Sequence, residues 1–158
     1  ITSPVGGRIE NYILDNKDGI LFTTGAVTED QALAQDDNSI KGKIIFINFE
    51  NKDYKIYSKG HRNPQGLLVT NDKILSTEHG PRGGDEINLI KYKKNYGWPV
   101  SSYGKKYNSN ESYNLSHADL NFEEPIYAFV PSIGISEIIK IPESKFVSWK
   151  NNYLVSSL

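Results

Sequence analysis

Two short stretches carry most of the side chains that could do chemistry. The first is Gly60-His61-Arg62-Asn63-Pro64-Gln65-Gly66-Leu67. Arg62 can grip an anion through two parallel N–H donors, and Asn63 beside it offers both a donor and an acceptor. Pro64 biases Asn63 away from the helical region, and Gly66 permits close backbone approach. The same residues also fit a turn whose arginine pairs with a neighbouring aspartate. The second stretch is Glu78-His79-Gly80-Pro81-Arg82-Gly83-Gly84-Asp85-Glu86. Backbone carbonyls in a Gly80-Pro81 turn, with carboxylates close by, suit a hard cation such as Ca²⁺. The spacing is not that of an EF-hand, and no histidine pair at metal spacing points to zinc. A solvated charged turn is the competing reading.

His61, His79 and His117 are the only histidines, and imidazole titrates near neutrality, so each is a formal candidate for a general base. No Gly-x-Ser-x-Gly elbow, Walker loop or dinucleotide fingerprint occurs. Asn95-Tyr96-Gly97-Trp98-Pro99 reads as a structural turn, with Trp98 packing between structural units.

The elements that must position these residues are strands. Ile20–Thr23, Ile44–Ile47, Ile74–Thr77, Ile87–Ile90 and Tyr153–Val155 are short β-rich runs bounded by Gly, Pro, Asn or Asp. The first chemical stretch lies between strands at Lys55–Ser58 and Leu67–Thr70, and the second where one strand ends and the next begins. Thr28–Asn38 is a polar loop with room for one helical turn. Gly104–Asp119 is a polar excursion at a rim. The strands repeat: the run around Ile20 recurs 54 residues later around Ile74, and again 79 residues on around Tyr153. Gly42–Asn48 recurs as Asp85–Lys91. Alternating strand types at such intervals predict an all-β chain built of β-propeller blades, the longer second interval absorbing the Gly104–Asp119 insertion. A β-sandwich is the alternative. About three blades fall short of the roughly four to eight that close a propeller, so residues 1–158 are expected to form one partial domain of a larger propeller.

Composition narrows the function. The 158 residues carry 18 Lys+Arg against 19 Asp+Glu, a net charge of −1, which argues against a nucleic-acid-binding surface. No apolar run approaches the ~18 residues that span a bilayer, and no signal peptide opens the chain. With no Cys there is neither a disulfide framework nor a thiolate nucleophile.

Taken together, the two stretches, Ile87-Asn88-Leu89-Ile90 and Asn95-Tyr96-Gly97-Trp98-Pro99 resemble the soluble PQQ-dependent glucose/sorbosone (aldose sugar) dehydrogenases. The likeness extends upstream through Gly6-Gly7-Arg8 and Thr23-Thr24-Gly25, and downstream through Pro131-Ser132-Ile133. It implies a six-bladed propeller with the quinone PQQ on its top face and a Ca²⁺ polarising it. It also implies a periplasmic or secreted enzyme that oxidises an aldose at the anomeric carbon to a lactone, a small sugar substrate and an external electron acceptor. Carried over by motif, Arg62 lies near the quinone oxygens and Asn63 contacts PQQ. His79 and Asp85 belong to the pocket, and the carbonyls of Gly80 and Pro81 ligate the Ca²⁺.

The chain departs from the family pattern where the proton is removed. The family's base is a histidine four residues before the arginine of the Gly-Arg pair, and that position is Pro4. The aspartate that orients it follows the Thr-x-Gly turn, and that position is Ala26. Val130 stands where many members place an aromatic. Glu29, Asp30, Asp36 and Asp37 are acids that could substitute as base. The family's basic residues for the PQQ carboxylates fall beyond Leu158. Two functions follow: a PQQ- and Ca²⁺-dependent sugar dehydrogenase, or a non-catalytic propeller of the same family that serves as a binding module.

Overall fold

A computed structural model describes residues 5–113, 117–142 and 146–158. Ten strands form three antiparallel sheets in strict sequence order. The first holds β1 (Gly6–Leu14), β2 (Lys17–Thr24), β3 (Lys43–Asn48) and β4 (Tyr54–Lys59). The second holds β5 (Pro64–Val69), β6 (Ile74–Glu78), β7 (Asp85–Leu89) and β8 (Tyr127–Phe129). β9 (Ile135–Lys140) pairs with β10 (Tyr153–Ser157) in the third. Four consecutive strands in meander order are the blade of a propeller. The described residues therefore hold two complete blades and two strands of a third, as the repeats predicted.

The repeats mark equivalent positions. The runs around Ile20, Ile74 and Tyr153 are β2, β6 and β10, the second strand of each sheet, and the other pair are β3 and β7, the third strand. The excursion at Gly104–Asp119 sits between β7 and β8, which is why the second interval is longer; its residues 114–116 lie outside the described set. Thr28–Asn38 carries one 3₁₀ turn, Gln31–Ala34. Asp15 and Asn16 join β1 to β2 with φ of 53° and 61°, the left-handed pair a two-residue hairpin with primed geometry requires.

Sequence reading located neither β1 nor β8 nor β9 as strands. β1 has its apolar residues on the wrong side for a simple reading: Ile9 and Ile13 are exposed. β1, β5 and β9 instead lie side by side at the inner edges of the three sheets. Arg8 in β1 bonds the Gln65 carbonyl in β5 and pairs with Glu137 in β9 at 3.1 Å. β5 also starts three residues earlier than expected, at Pro64, so the first chemical stretch runs directly into an inner strand.

The main core lies between the first two sheets. Leu21, Ile44, Phe46 and Tyr57 of one meet Leu67 and Ile74 of the next, joined by Ile90 and Tyr96 from the segment after β7. Each such side chain removed from water stabilises by about 1.5–3 kcal/mol, so the blade interface is a rigid floor. The β2–β3, β4–β5, β6–β7 and β8–β9 connections all emerge at one end of it.

Candidate cofactor site

The β4–β5 link is the centre of the site. Lys59 is the last residue of the outer strand β4 and Pro64 the first of the inner strand β5, so Gly60–Asn63 must cross the whole end of a blade. Gly60 has φ of +79°, and a Cβ there would strike Asn95 and the amide of Gly97. Arg62 is only 7% exposed. Its amide donates to Glu78 Oε2 at 3.0 Å, its Nη1 donates to the His79 carbonyl at 2.9 Å, and its guanidinium lies 5.2 Å from the centre of the Trp98 ring. Burial pulls the guanidinium pKa down while Tyr107, Tyr113 and Asp85 pull it up; arginine stays charged throughout the working pH range. Arg62 Nε is buried with no partner among the described residues.

Asn63 accepts the Gly6 amide on Oδ1 at 3.0 Å, which ties β1 to the link. Its carbonyl accepts the His79 amide at 3.1 Å, so the two chemical stretches are bonded together. His79 is half-buried; burial lowers its pKa, with Asp85 opposing and Arg62 reinforcing, which leaves the imidazole neutral at neutral pH.

The β6–β7 loop is held by its carboxylate. Asp85 Oδ1 accepts the Gly80 amide at 3.0 Å and the Ser132 hydroxyl at 2.8 Å. Its Oδ2 accepts the amides of Ile133 and Ile135 at 3.1 and 3.0 Å. Burial raises the Asp85 pKa, but the Ile135, Ser132 and Gly80 hydrogen bonds outweigh it and hold the carboxyl below the usual range. Asp85 thus stays ionised and spends its lone pairs on protein donors, fixing the β6–β7 loop against the segment before β9. Gly83 and Gly84 have φ of +87° and +70°. Arg82 and Lys105 exchange two main-chain hydrogen bonds at 3.2 and 2.8 Å, so the β7–β8 excursion closes over the loop. The carbonyls of Gly80 and Pro81 accept no hydrogen bond among the described residues. No cluster of three or more His, Cys, Asp or Glu able to hold a metal occurs among those residues. A cation here would rest on main-chain oxygens.

A cavity of about 10 Å³ lies under Arg62, lined by Glu78, His79, Gly80, Glu86 and Trp98 among others. It has room for one water, not for a quinone. A larger cleft, about 610 Å³, lies at the opposite end of the blades beside Tyr12, Asp18, Val69 and Asn71.

The structure thus brings Arg62, Asn63, His79, Gly80, Pro81 and Asp85 to one end of the fold. Two histidines are removed as bases. His61 is fully buried between Ser58 and Glu78, and His117 is buried against Ser101 and stacked on Tyr103. Three of the four candidate substitute acids are engaged elsewhere: Asp30 with Lys41 at 2.6 Å, Asp37 with Lys59 at 2.8 Å, and Asp36 with the Asn38 amide; Glu29 is exposed on the same loop. Ala26 is fully buried and packs with Ala34, Trp98 and Tyr113; its carbonyl accepts the Trp98 indole N–H at 2.6 Å. Trp98 therefore packs between units, as expected, and is also the platform under Arg62. Val130 is exposed, and Pro4 lies outside the described residues. Sequence reasoning passed over Glu78, although it opens the second stretch. A carboxylate directly before the His79-Gly80 step, at the end of a fully buried strand, was the available signal.

Comparisons with known proteins point the same way. The family model for Glucose / Sorbosone dehydrogenase matches residues 3–158. The aldose sugar dehydrogenase YliI of Escherichia coli is 30% identical over 97% of this chain and 44% of its own length. The crystal structure of the soluble aldose sugar dehydrogenase of Escherichia coli, in its apo form, superposes with a TM-score of 0.79 at 26% identity, covering 97% of this chain and 48% of that one. The PQQ-bound aldose sugar dehydrogenase of Streptomyces coelicolor gives 0.62 at 28% identity over 85% of this chain and 39% of its own. The chain spans less than half the length of each of these relatives. It belongs to the glucose/sorbosone dehydrogenase family.

Proposed function

We propose that this chain is the part of a six-bladed propeller that forms the floor of a PQQ and Ca²⁺ site, in a protein that oxidises an aldose at the anomeric carbon to a lactone. The observation that carries the reading is the meeting of the Arg62 guanidinium, braced on Trp98, with the carbonyls of Gly80 and Pro81, which accept no hydrogen bond among the described residues. Arg62 Nε is sealed from solvent, so a cofactor oxygen would meet the guanidinium at its other N–H groups. An electron-rich quinone oxygen suits Arg62, and a hard cation suits two carbonyls.

When bound, the quinone supplies a two-electron acceptor for hydride, and the cation makes it a stronger one. The chain's own residues do the holding. Arg62 offers N–H from a guanidinium braced on Trp98 and on the His79 carbonyl. Asn63 is fixed through Oδ1, which leaves its amide N–H₂ for the cofactor. Asp85 sets the Gly80 amide and so the direction of the neighbouring carbonyls. A small sugar, an external electron acceptor and a periplasmic or secreted location complete the proposal. No described helix is long and apolar enough to cross a membrane.

One observation favours a second reading, a binding module without turnover. The position of the family's orienting aspartate is Ala26, sealed in an apolar cluster, and the base position is Pro4, which cannot take a proton. Loss of a general base removes about 10²–10⁴ in rate.

Titration of the full-length protein with PQQ, with and without Ca²⁺, decides between the two, followed by absorbance and calorimetry. Calcium-dependent binding with sugar turnover supports the dehydrogenase, and calcium-dependent binding without turnover supports the module. No binding at high micromolar PQQ overturns the cofactor site.

A further inference from the structure

One buried carboxylate, Glu78, ties the Arg62 link to both blades. Glu78 ends β6 and is 4% exposed. Its Oε2 accepts the Arg62 amide at 3.0 Å. Its Oε1 accepts from His61 Nδ1 at 2.5 Å and from Asn88 Nδ2 at 3.2 Å. His61 Nε2 lies 2.8 Å from the hydroxyl of Ser58, and the imidazole stacks on Tyr96 at 4.8 Å. The Asn88 amide also reaches Glu86 Oε2 at 3.2 Å. Ser58 lies in β4, Glu78 in β6, and Asn88 and Glu86 in β7, so the chain of bonds runs across both blades beneath the link that carries Arg62.

A serine, a histidine and a carboxylate in line invite a hydrolase reading, which burial removes. Ser58 and His61 are 1% and 0% exposed, and no substrate carbonyl can reach them. What the line does is fix a main chain. Gly60–Asn63 lies outside the sheet ladders; main-chain bonds tie the Gly60 and His61 amides to Ala34 and Gly42, and the Gly60, Arg62 and Asn63 carbonyls to Trp98, Ala26 and His79, which leaves the Arg62 amide to a side chain. Glu78 supplies an acceptor for the one amide in it that belongs to Arg62. Arg62 cannot then slide along Trp98 without breaking a charge-assisted bond inside the protein.

We propose that Glu78 is the positioning residue of the Arg62 site: its carboxylate, oriented by His61 and Asn88, sets the Arg62 main chain and thereby aims the guanidinium. This rests on the PQQ reading for its ligand and on nothing else in that reading. Glu78 does not touch the cofactor; it acts through Arg62.

A double-mutant cycle in the full-length protein tests it, with PQQ and Ca²⁺ as the probe. Glu78→Ala is expected to weaken PQQ binding by about 10- to 100-fold, the usual loss for a hydrogen bond to a charged group. Glu78→Gln keeps an oxygen for the Arg62 amide and recovers most of that loss. In an Arg62→Ala background, Glu78→Ala weakens PQQ binding no further, whereas thermal stability still falls with each substitution. Additive losses in affinity overturn the proposal, because a merely structural carboxylate lowers affinity whether or not Arg62 is present. If Glu78→Ala does not fold, Glu78→Asp, one methylene shorter, takes its place in the cycle with the same expectations.

A second readout needs no cofactor. Hydrogen exchange at the Arg62 amide is expected to be slow in the wild type and at least tenfold faster in Glu78→Ala, while the β6–β7 amides keep their protection. Unchanged exchange at Arg62 overturns the proposal. A wild type that binds no PQQ defeats the cofactor reading instead and leaves the exchange result to decide the role of Glu78.

Discussion

Arg62 draws its properties from where its chain is trapped. Its guanidinium sits on Trp98 and donates to the His79 carbonyl, while Nε is sealed in with no partner among the described residues. Replacing it with alanine removes a charge-assisted donor, expected to cost about 1.5–3 kcal/mol of PQQ affinity. Arg62→Lys keeps the charge but loses the planar fork, so calorimetry should find it closer to Arg62→Ala than to the wild type. The neighbouring acid pair gives a pH test. Burial, and then the charge of Glu78, push Glu86 up to about 8 from an ordinary 4.5. The folded state therefore binds a proton that the unfolded state releases, and this group's contribution to stability is full below about pH 4.5 and lost as pH rises through about 8. Glu86→Gln mimics the neutral acid. Its thermal midpoint should decline less between those limits than that of the wild type, and equal slopes would refute the assignment. At this scale the density of Arg, Gly-Pro and paired acids singled out the two stretches that the fold brings to one end, although a solvated charged turn fitted the same residues. Their division of labour was not legible in the sequence. His61 is a formal base until Ser58 and Glu78 close on it, and Glu78 reaches Arg62 from sixteen residues away.

Strands β2, β6 and β10 were visible because turn residues precede each of them and β-branched residues fill them. β1 was not, because an inner strand of one sheet is judged by the strands beside it and not by its own alternation. The connection after β2 shows how an element can be ordered without a regular partner. Lys43, the first residue of β3, is fully buried, and its Nζ donates to the carbonyls of Leu33, Ala34 and Lys41 at 2.8, 3.0 and 2.7 Å. Two of those oxygens end the 3₁₀ turn and the third belongs to Lys41, two residues before Lys43; Ala34 in turn packs on Ala26 and Trp98. Burial, with the charge of Lys59, brings the Lys43 pKa down to about 8, so at neutral pH the ammonium is present and the cap is complete. Lys43→Met fills the same space and removes a charged donor from all three carbonyls, of which Leu33 and Ala34 keep the amides of Asp36 and Gly60. Denaturant unfolding should show a loss of about 1–3 kcal/mol, and limited proteolysis should open the Thr28–Asn38 loop before the blades. A variant as stable and as resistant as the wild type would mean that the loop is held by packing alone.

Across the described residues, each of the first two sheets is complete with four strands, whereas the third has two. β9 is covered on one side by β5 and paired with β10, but β10 pairs only with β9 among the described residues. Its sequence, Tyr153-Leu154-Val155-Ser156-Ser157, has none of the Lys or Pro that usually protects a free edge. Leu154 is half exposed, and so is Ile139 opposite it. In the relatives more than half of the polypeptide lies outside the part matched here. We therefore expect β10 to be an inner boundary of a blade and not an outer wall. Residues 1–158 expressed alone should self-associate, with light scattering giving a mass above one chain that falls on dilution. Leu154→Lys should shift that equilibrium toward the monomer without lowering the melting temperature of the two complete blades. Co-expression with the rest of a propeller should abolish self-association altogether. A monomer that stays monomeric at high concentration would mean that the two-stranded sheet closes on its own, and the blade assignment of β9 and β10 would fall with it.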